Sequence, residues 1–211
     1  MKLYHSPGSC SLACHIALEE AAAEFEPVTI RLPAAENFEP EYLKIQPTGF
    51  VPLLEMTNGE HLTEAVAILL HVARAYPDAG LLPEAGSGEE ARVFEWLAWL
   101  TNTMHIAYAC LWRPERFSAD PAARRAIADE ATARIKQLNW IVERRLAGRD
   151  FAAGTAYSVA DLFLLVFFRW ANRIGVAASR EHPAWTAWAR RIEDRPAVSR
   201  VLHREGISLW K

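Results

Sequence analysis

Cys10 is the residue of this chain best placed to do chemistry. It lies in the segment SPGSCS, residues 6–11, after a strand-like run over 2–5 and before a periodic segment that predicts a helix over 12–23. A thiol at a helix start meets unpaired backbone N–H groups and the positive end of the helix dipole, and both favour the thiolate. The position indicates redox or thiol-transfer chemistry, although free cysteines are also often inert small residues of a core.

Two other segments could bind a small peptide beside this thiol. Pro52 follows Val51 at the start of a predicted strand. A cis proline there turns the N–H and C=O of the preceding residue outward, where a peptide backbone can pair with them. Glu64 precedes a predicted helix, whose first N–H groups can hold a carboxylate while the Glu64 side chain holds an ammonium group. Singly, Pro52 also fits an ordinary trans strand start and Glu64 a favourable first-turn charge.

The elements that position these residues form a small α/β unit in the first eighty residues. Strand signals lie at 3–5, 28–32, 53–56 and 61–62, and helix signals at 12–23, 41–45 and 65–76. Asn58-Gly59 lies between the last two strands and predicts an antiparallel hairpin. The order βαβ, α, ββα predicts a thioredoxin-like domain with a mixed sheet over residues 1–80.

The rest of the chain carries only helical patterns. Residues 77–88 are rich in proline and glycine, and we assign 81–87 as the linker and 88–211 as an all-α helical-bundle domain. Helices are predicted over 89–112, 121–146, 159–174, 183–194 and 196–204. Ser158 and Asp161 form a capping-box pattern before the most apolar of these helices, so we interpret both as structural residues.

Composition excludes several classes of function. The net charge of −3 favours neither nucleic-acid nor anionic-membrane binding, and no apolar run approaches membrane-spanning length. Residues 1–80 carry four Lys/Arg against eleven Asp/Glu, which leaves +4 for the remainder. With Cys10, Cys14 and Cys110 as its three cysteines, the chain predicts neither a disulfide framework nor a structural zinc site. We therefore expect a cytoplasmic protein without a metal.

Taken in order along the chain, these motifs resemble the glutathione S-transferase family, and most closely its bacterial beta class. The segments that carry the resemblance are PGSCSLA at 7–13, GFVP at 49–52, LTE at 62–64, EWL at 95–97, His105, LWRP at 111–114, the capping box, FRWA at 168–171 and RPAV at 195–198. The first of these is specific to the beta class, whereas Val-Pro and Ser-x-x-Asp are not.

The resemblance implies a site for glutathione as co-substrate on the first domain. Val51 and Pro52 would hold the cysteinyl unit, Glu64 and Ala65 the γ-glutamyl head group, and Cys10 would point at the glutathione sulfur. Catalytic roles are implied for Cys10 and His105. The resemblance places Trp170 in the electrophile pocket of the second domain. It also implies a homodimer.

Three positions depart from the class pattern. Ala98 stands where asparagine is common, Ile106 stands where lysine is common, and the loop over 33–37 lacks the lysine often found near the glycyl carboxylate. The sequence therefore predicts fewer cationic partners for the carboxylates of glutathione.

The function implied is conjugation of glutathione to small apolar electrophiles in detoxification. Glutathione-dependent disulfide reductase or peroxidase activity through Cys10 would use the same site. The alternatives are a non-catalytic protein that binds glutathione or apolar ligands, and a specialised catabolic transferase such as a dehalogenase or isomerase. The fold does not choose among these substrates.

Overall fold

The computed structural model describes residues 1–176 and 178–211, and its N-terminal part is a layered α/β unit. Its elements are β1 Lys2–His5, α1 Ser11–Glu20, β2 Glu26–Thr29, α2 Pro40–Ile45, β3 Leu53–Glu55, β4 His61–Thr63 and α3 Ala65–Ala75. The four strands lie in the order β2-β1-β3-β4, with β1 and β2 parallel and the other neighbours antiparallel. The predicted thioredoxin-like fold is thus confirmed.

The hairpin between β3 and β4 is also confirmed, because Leu53 pairs with Thr63 and Leu54 with Leu62. The predicted strand over 28–32 was wrong at both ends. The strand β2 stops at Thr29, and Leu32 begins a short 3-10 turn. Pro33 in that turn has no N–H to donate to a sheet, so the ladder cannot continue through it.

The C-terminal part is helical, as predicted. Its helices are α4 Gly88–Trp99, α5 Ile106–Trp112, α6 Pro121–Leu146, α7 Val159–Arg173, α8 Ala178–Glu181, α9 Pro183–Glu193 and α10 Pro196–Glu205. None of the helices in the described ranges is both long and apolar enough to cross a membrane.

The predicted helix over 89–112 is interrupted by a π-helical segment, Leu100–His105, between α4 and α5. The Thr101 hydroxyl donates to the Leu97 carbonyl at 2.8 Å, and a side-chain bond of this kind competes with the regular backbone ladder. The wider turn changes the helix face on which His105 lies, which periodicity alone could not predict.

The helix α7 is the centre of the second domain, and every residue from Val159 to Ala171 is buried. The capping box before it is present. The Asp161 carboxylate accepts from the N–H of Ser158 at 2.9 Å and of Ala152 at 2.7 Å, and from the Trp188 indole at 2.9 Å. Burial raises the pKa of Asp161 to about 6, and these hydrogen bonds limit the rise.

Charged residues join the two domains within one chain. The Glu20 carboxylate on α1 accepts two hydrogen bonds from the Arg195 guanidinium, at 2.7 and 3.1 Å, and a third from the Tyr157 hydroxyl. Glu19 pairs with Arg200 and Arg204 on α10. Part of the opposite charge of the two domains is therefore neutralised inside the chain.

Candidate functional site

A cavity of about 1160 Å³ lies between the two domains. Pockets for a drug-sized ligand measure roughly 300–1,000 Å³, so this one has room for glutathione and a second small molecule. The first domain contributes the loops before α1, before β3 and before α3. The second contributes the π-helical segment, α5 and the end of α7. The predicted site residues Cys10, Val51, Pro52, Glu64, Ala65, His105 and Trp170 all line this cavity.

Cys10 stands at the N-cap of α1 with the helix directly behind it. The helix start favours the thiolate, and burial opposes it. Burial is the largest effect and raises the pKa of the Cys10 thiol to about 12. A backbone hydrogen bond opposes this rise, and the charge of the Glu64 carboxylate adds a smaller one. The helix start does not offset the loss of hydration, so Cys10 is a hydrogen-bond donor at neutral pH.

Gly8 fixes the loop that carries Cys10, and sequence reasoning missed this. Its N–H donates to Glu205 at 2.8 Å, and its carbonyl accepts from the Trp170 indole at 2.8 Å and from Arg169 at 3.3 Å. Its φ of +68° lies in the left-handed region, and a Cβ there would stand 2.4 Å from an Arg169 nitrogen. Only glycine fits this close approach without strain. The sequence signal for this role was the position of Gly8 within the segment PGSCSLA at 7–13.

Besides the Gly8 N–H, the Glu205 carboxylate contacts two histidines, one on either side of the loop in the chain. Its Oε1 lies 2.8 Å from His15 Nδ1 and 3.3 Å from His5 Nδ1. Burial alone would raise the pKa of Glu205, but the hydrogen bonds from His15, His5 and Gly8 outweigh it and lower the pKa to about 2. His5, His15 and Glu205 have a spacing that a metal ion could use. Because His15 and Gly8 already occupy both carboxylate oxygens, we assign the group a structural role.

The backbone before Pro52 is exposed to the cavity and is braced from the other side. The Val51-Pro52 peptide is cis. The Phe50 carbonyl accepts from the Tyr42 hydroxyl at 2.7 Å, and the Gly49 carbonyl accepts from Asn37 at 2.8 Å. Within the described ranges, the N–H and C=O of Val51 have no hydrogen-bond partner. These two groups are therefore available to a peptide backbone.

Glu64 and the start of α3 form a second binding surface in the same cavity. Glu64 is exposed, has a φ of +68° and makes no ion pair with any described residue. A non-glycine residue with positive φ is strained, and such strain is concentrated at binding sites. No described side chain caps α3, so the N–H groups of Ala65 and Val66 at its start are left without a capping partner in this part of the structure. An exposed carboxylate beside free N–H groups complements a zwitterionic amino-acid head group.

His105 and Trp170 lie on the opposite wall. The His105 ring is half-buried at the end of the π-helical segment, 5.8 Å from the Trp170 ring. Burial lowers the pKa of His105, and the Arg116 charge lowers it further, so the imidazole is neutral at pH 7. Trp170 lines the cavity, but its N–H is already committed to Gly8. The Trp170 N–H therefore positions the loop that carries Cys10, while the indole ring forms part of the cavity wall.

Three arginines of the second domain line the cavity, and sequence reasoning assigned none of them to the site. Arg113, Arg116 and Arg173 line the cavity, and none forms an ion pair with a described carboxylate. Among the described residues that line the cavity, Glu64 is the one with an acidic side chain. Arg113 entered the sequence analysis only as part of the LWRP motif, and neither Arg116 nor Arg173 belongs to a recognisable pattern.

Comparison with known proteins places the chain in a family. Residues 1–74 match the family model of the glutathione S-transferase N-terminal domain, and residues 100–196 match that of the C-terminal domain. The chain is similar to glutathione S-transferase GstA of Escherichia coli O157:H7, at 32% identity over 98% of this chain and 100% of that protein.

Two solved structures extend the similarity to the fold. A sphingomonad glutathione S-transferase complexed with glutathione is 40% identical, with a TM-score of 0.84 over 99% of this chain and all of the other. A bacterial beta class glutathione S-transferase of Sphingomonas chungbukensis is 36% identical, with a TM-score of 0.86 over 99% of this chain and all of the other. The chain belongs to the glutathione S-transferase family.

Proposed function

We propose that the protein is a transferase that binds glutathione in this cavity and conjugates it to a small electrophile. The observation that carries the proposal is that one cavity contains two sets of polar groups able to bind a peptide. The first is the N–H and C=O of Val51, and the second is the Glu64 carboxylate beside the start of α3. Val51 pairs with the cysteinyl backbone, and the Glu64 carboxylate takes the γ-glutamyl ammonium group. The N–H groups of Ala65 and Val66 take the γ-glutamyl carboxylate.

Cys10 acts as a donor in this mechanism. Its thiol, held protonated by burial, donates a hydrogen bond to the glutathione sulfur and so stabilises the glutathione thiolate. The thiolate attacks an electrophilic carbon, a C–S bond forms, the leaving group departs with its bonding pair, and the thiol proton passes to solvent. Neutral His105 lies on the electrophile side of the cavity, where it can accept or donate a single hydrogen bond.

This chemistry is favoured over thiol–disulfide exchange through Cys10. Exchange needs a thiolate, and a thiol with a pKa of about 12 supplies almost none at pH 7. Reductase and peroxidase activity through Cys10 are therefore expected to be slow beside conjugation. A protein that only binds glutathione would show no turnover with either class of substrate.

The experiment compares Glu64→Gln with Glu60→Gln, a matched change of an exposed glutamate outside the cavity. Calorimetric titration with glutathione is expected to show about ten- to a hundredfold weaker binding for Glu64→Gln, because a charge-assisted hydrogen bond contributes roughly 1.5–3 kcal/mol. Glu60→Gln should bind like the parent. Equal affinity for all three proteins would mean that the head group is held elsewhere.

Turnover is measured with the same proteins and 1-chloro-2,4-dinitrobenzene as a neutral electrophile. The parent should conjugate it, and Glu64→Gln should lose kcat/KM in proportion to its loss of glutathione affinity. Tight glutathione binding without conjugation of this or any other electrophile would favour the non-catalytic binding protein.

We also propose that the protein is a cytoplasmic homodimer, as its family resemblance implies. Phe38 and Phe50 are exposed at the mouth of the cavity on the first domain, where a second chain could cover them. Light scattering after size-exclusion chromatography gives the mass directly. A mass near 23.7 kDa at micromolar concentration would exclude the dimer.

A further inference from the structure

The second half of the cavity combines aromatic rings with positive charge. Trp112 and Trp170 lie edge to face with ring centroids 5.0 Å apart, and Tyr108 lies 5.3 Å from Trp170. Trp112 lines the cavity and is 40% exposed. An aromatic ring can stack on such a side chain.

Two of the cavity arginines flank this aromatic wall. Arg113 follows Trp112 in the chain, and Arg173 lies one helical turn beyond Trp170 at the end of α7. Both side chains line the cavity, are exposed and lack a carboxylate partner among the described residues. A guanidinium group donates two parallel N–H groups to a carboxylate, so each of these arginines can donate hydrogen bonds to an anionic group in the cavity.

The charge of the cavity differs from that of its surroundings. Three arginines and Glu64 give its lining a net charge of +2, whereas the whole chain carries −3. A cleft with apolar walls concentrates the field of its charges, so anionic ligands are attracted into it.

Arg116 differs from the other two arginines in position. Its guanidinium lies 4.8 Å from the centre of the Phe50 ring, next to Val51 on the glutathione half of the cavity. Arg113 and Arg173 instead neighbour Trp112 and Trp170 in the chain, so both lie on the second-domain side of the cavity.

We propose that the second substrate is an aromatic electrophile carrying an acidic group, whose ring lies against Trp112 and whose anion is held by Arg113 and Arg173. This proposal rests on the proposed function and specifies the chemical class of its electrophile. In the reaction, the glutathione thiolate forms a C–S bond to the ring and the leaving group departs as an anion, while the acidic substituent stays on the product.

A matched pair of electrophiles tests the proposal, 4-chloro-3,5-dinitrobenzoate and its methyl ester. Both react by displacement of chloride, and they differ in one negative charge. The variants are Arg113→Gln, Arg173→Gln and their double, with Arg116→Gln as the glutathione-side comparison. Arg125→Gln is the matched control, because Arg125 is exposed on α6 and lies outside this cavity.

We expect kcat/KM for the acid to fall by about tenfold in the double variant. The fall is modest because an exposed arginine contributes less to the binding of an anion than a buried one. The ester should change by less than about twofold, and Arg125→Gln should leave both unchanged. Preference for the acid should weaken as salt is added. An unchanged ratio of acid to ester in the double variant would overturn the proposal.

Binding of unreactive analogues separates this proposal from the proposed function. Tryptophan quenching is measured with 3,5-dinitrobenzoate and its methyl ester in the presence of S-methylglutathione, which cannot react. Selective binding of the acid that is lost in the double variant supports the anion site, even if no electrophile is turned over. Weaker binding of S-methylglutathione with unchanged binding of the acid would assign these arginines to glutathione and refute the proposal.

Discussion

The pH dependence of Cys10 alkylation follows directly from its burial. A thiol with a pKa of about 12 has roughly three thousandfold less thiolate at pH 7.5 than one with the ordinary value of about 8.5. We therefore expect the native protein to be alkylated at Cys10 at least a thousandfold more slowly than the urea-unfolded chain. The rate should still rise about tenfold per pH unit at pH 10.

Alkylation by iodoacetamide is followed from pH 6 to pH 10, with fragment-ion mass spectrometry separating Cys10 from Cys14. The Cys14 thiol also has a raised pKa, because it is fully buried. Labelling of the unfolded chain at each pH corrects for the reagent. A plateau in the Cys10 rate below pH 8 would show a thiolate in the free protein and would refute the donor role argued above.

Three further changes test the framework around the site. Gly8→Ala forces a Cβ against Arg169, so it should weaken glutathione binding and lower the stability of the protein. Gly59→Ala is the control, because Gly59 also has a positive φ, of +82°, but has open space around it. It should lower only the stability, as measured by denaturant unfolding. Asp161→Ala should lower the free energy of unfolding by at least about 3 kcal/mol, because it leaves buried N–H donors without an acceptor. The KM for glutathione should be unchanged in the folded fraction. A variant with the parental Tm but without activity would contradict the structural role. The lowered pKa of Glu205 means that its stabilisation is present above pH 4.5 and is lost as pH falls towards 2. The stability difference between the parent and Glu205→Gln should shrink by about 3 kcal/mol over that interval, and a constant difference would contradict it.

The sequence predicted which residues come together in the cavity because the relevant signals are local. A cysteine before a helix, a Val-Pro pair and a glutamate before a helix are each set by a few neighbouring residues, and the order of elements then brings them to one end of the sheet. The capping box of Ser158 and Asp161 belongs to the same class of signal, since it depends on spacing alone.

What the sequence could not predict depends on contacts between distant residues. Gly8 is held by Glu205, almost two hundred positions away, and the extent of burial that keeps Cys10 protonated comes from the assembled cavity. The π-helical segment interrupts an otherwise continuous helical pattern, and the hydrophobic periodicity does not report it. Arg116 and Arg173 look like ordinary solvent-exposed charges until the fold places them in the cavity.

A crystal structure of the protein with glutathione tests the central claim most directly. We predict the γ-glutamyl group between Glu64 and the start of α3, the cysteinyl backbone paired with Val51, and the glutathione sulfur within hydrogen-bond reach of Cys10 Sγ. Glutathione bound outside this cavity, or bound inside it with its sulfur turned away from Cys10, would contradict the account.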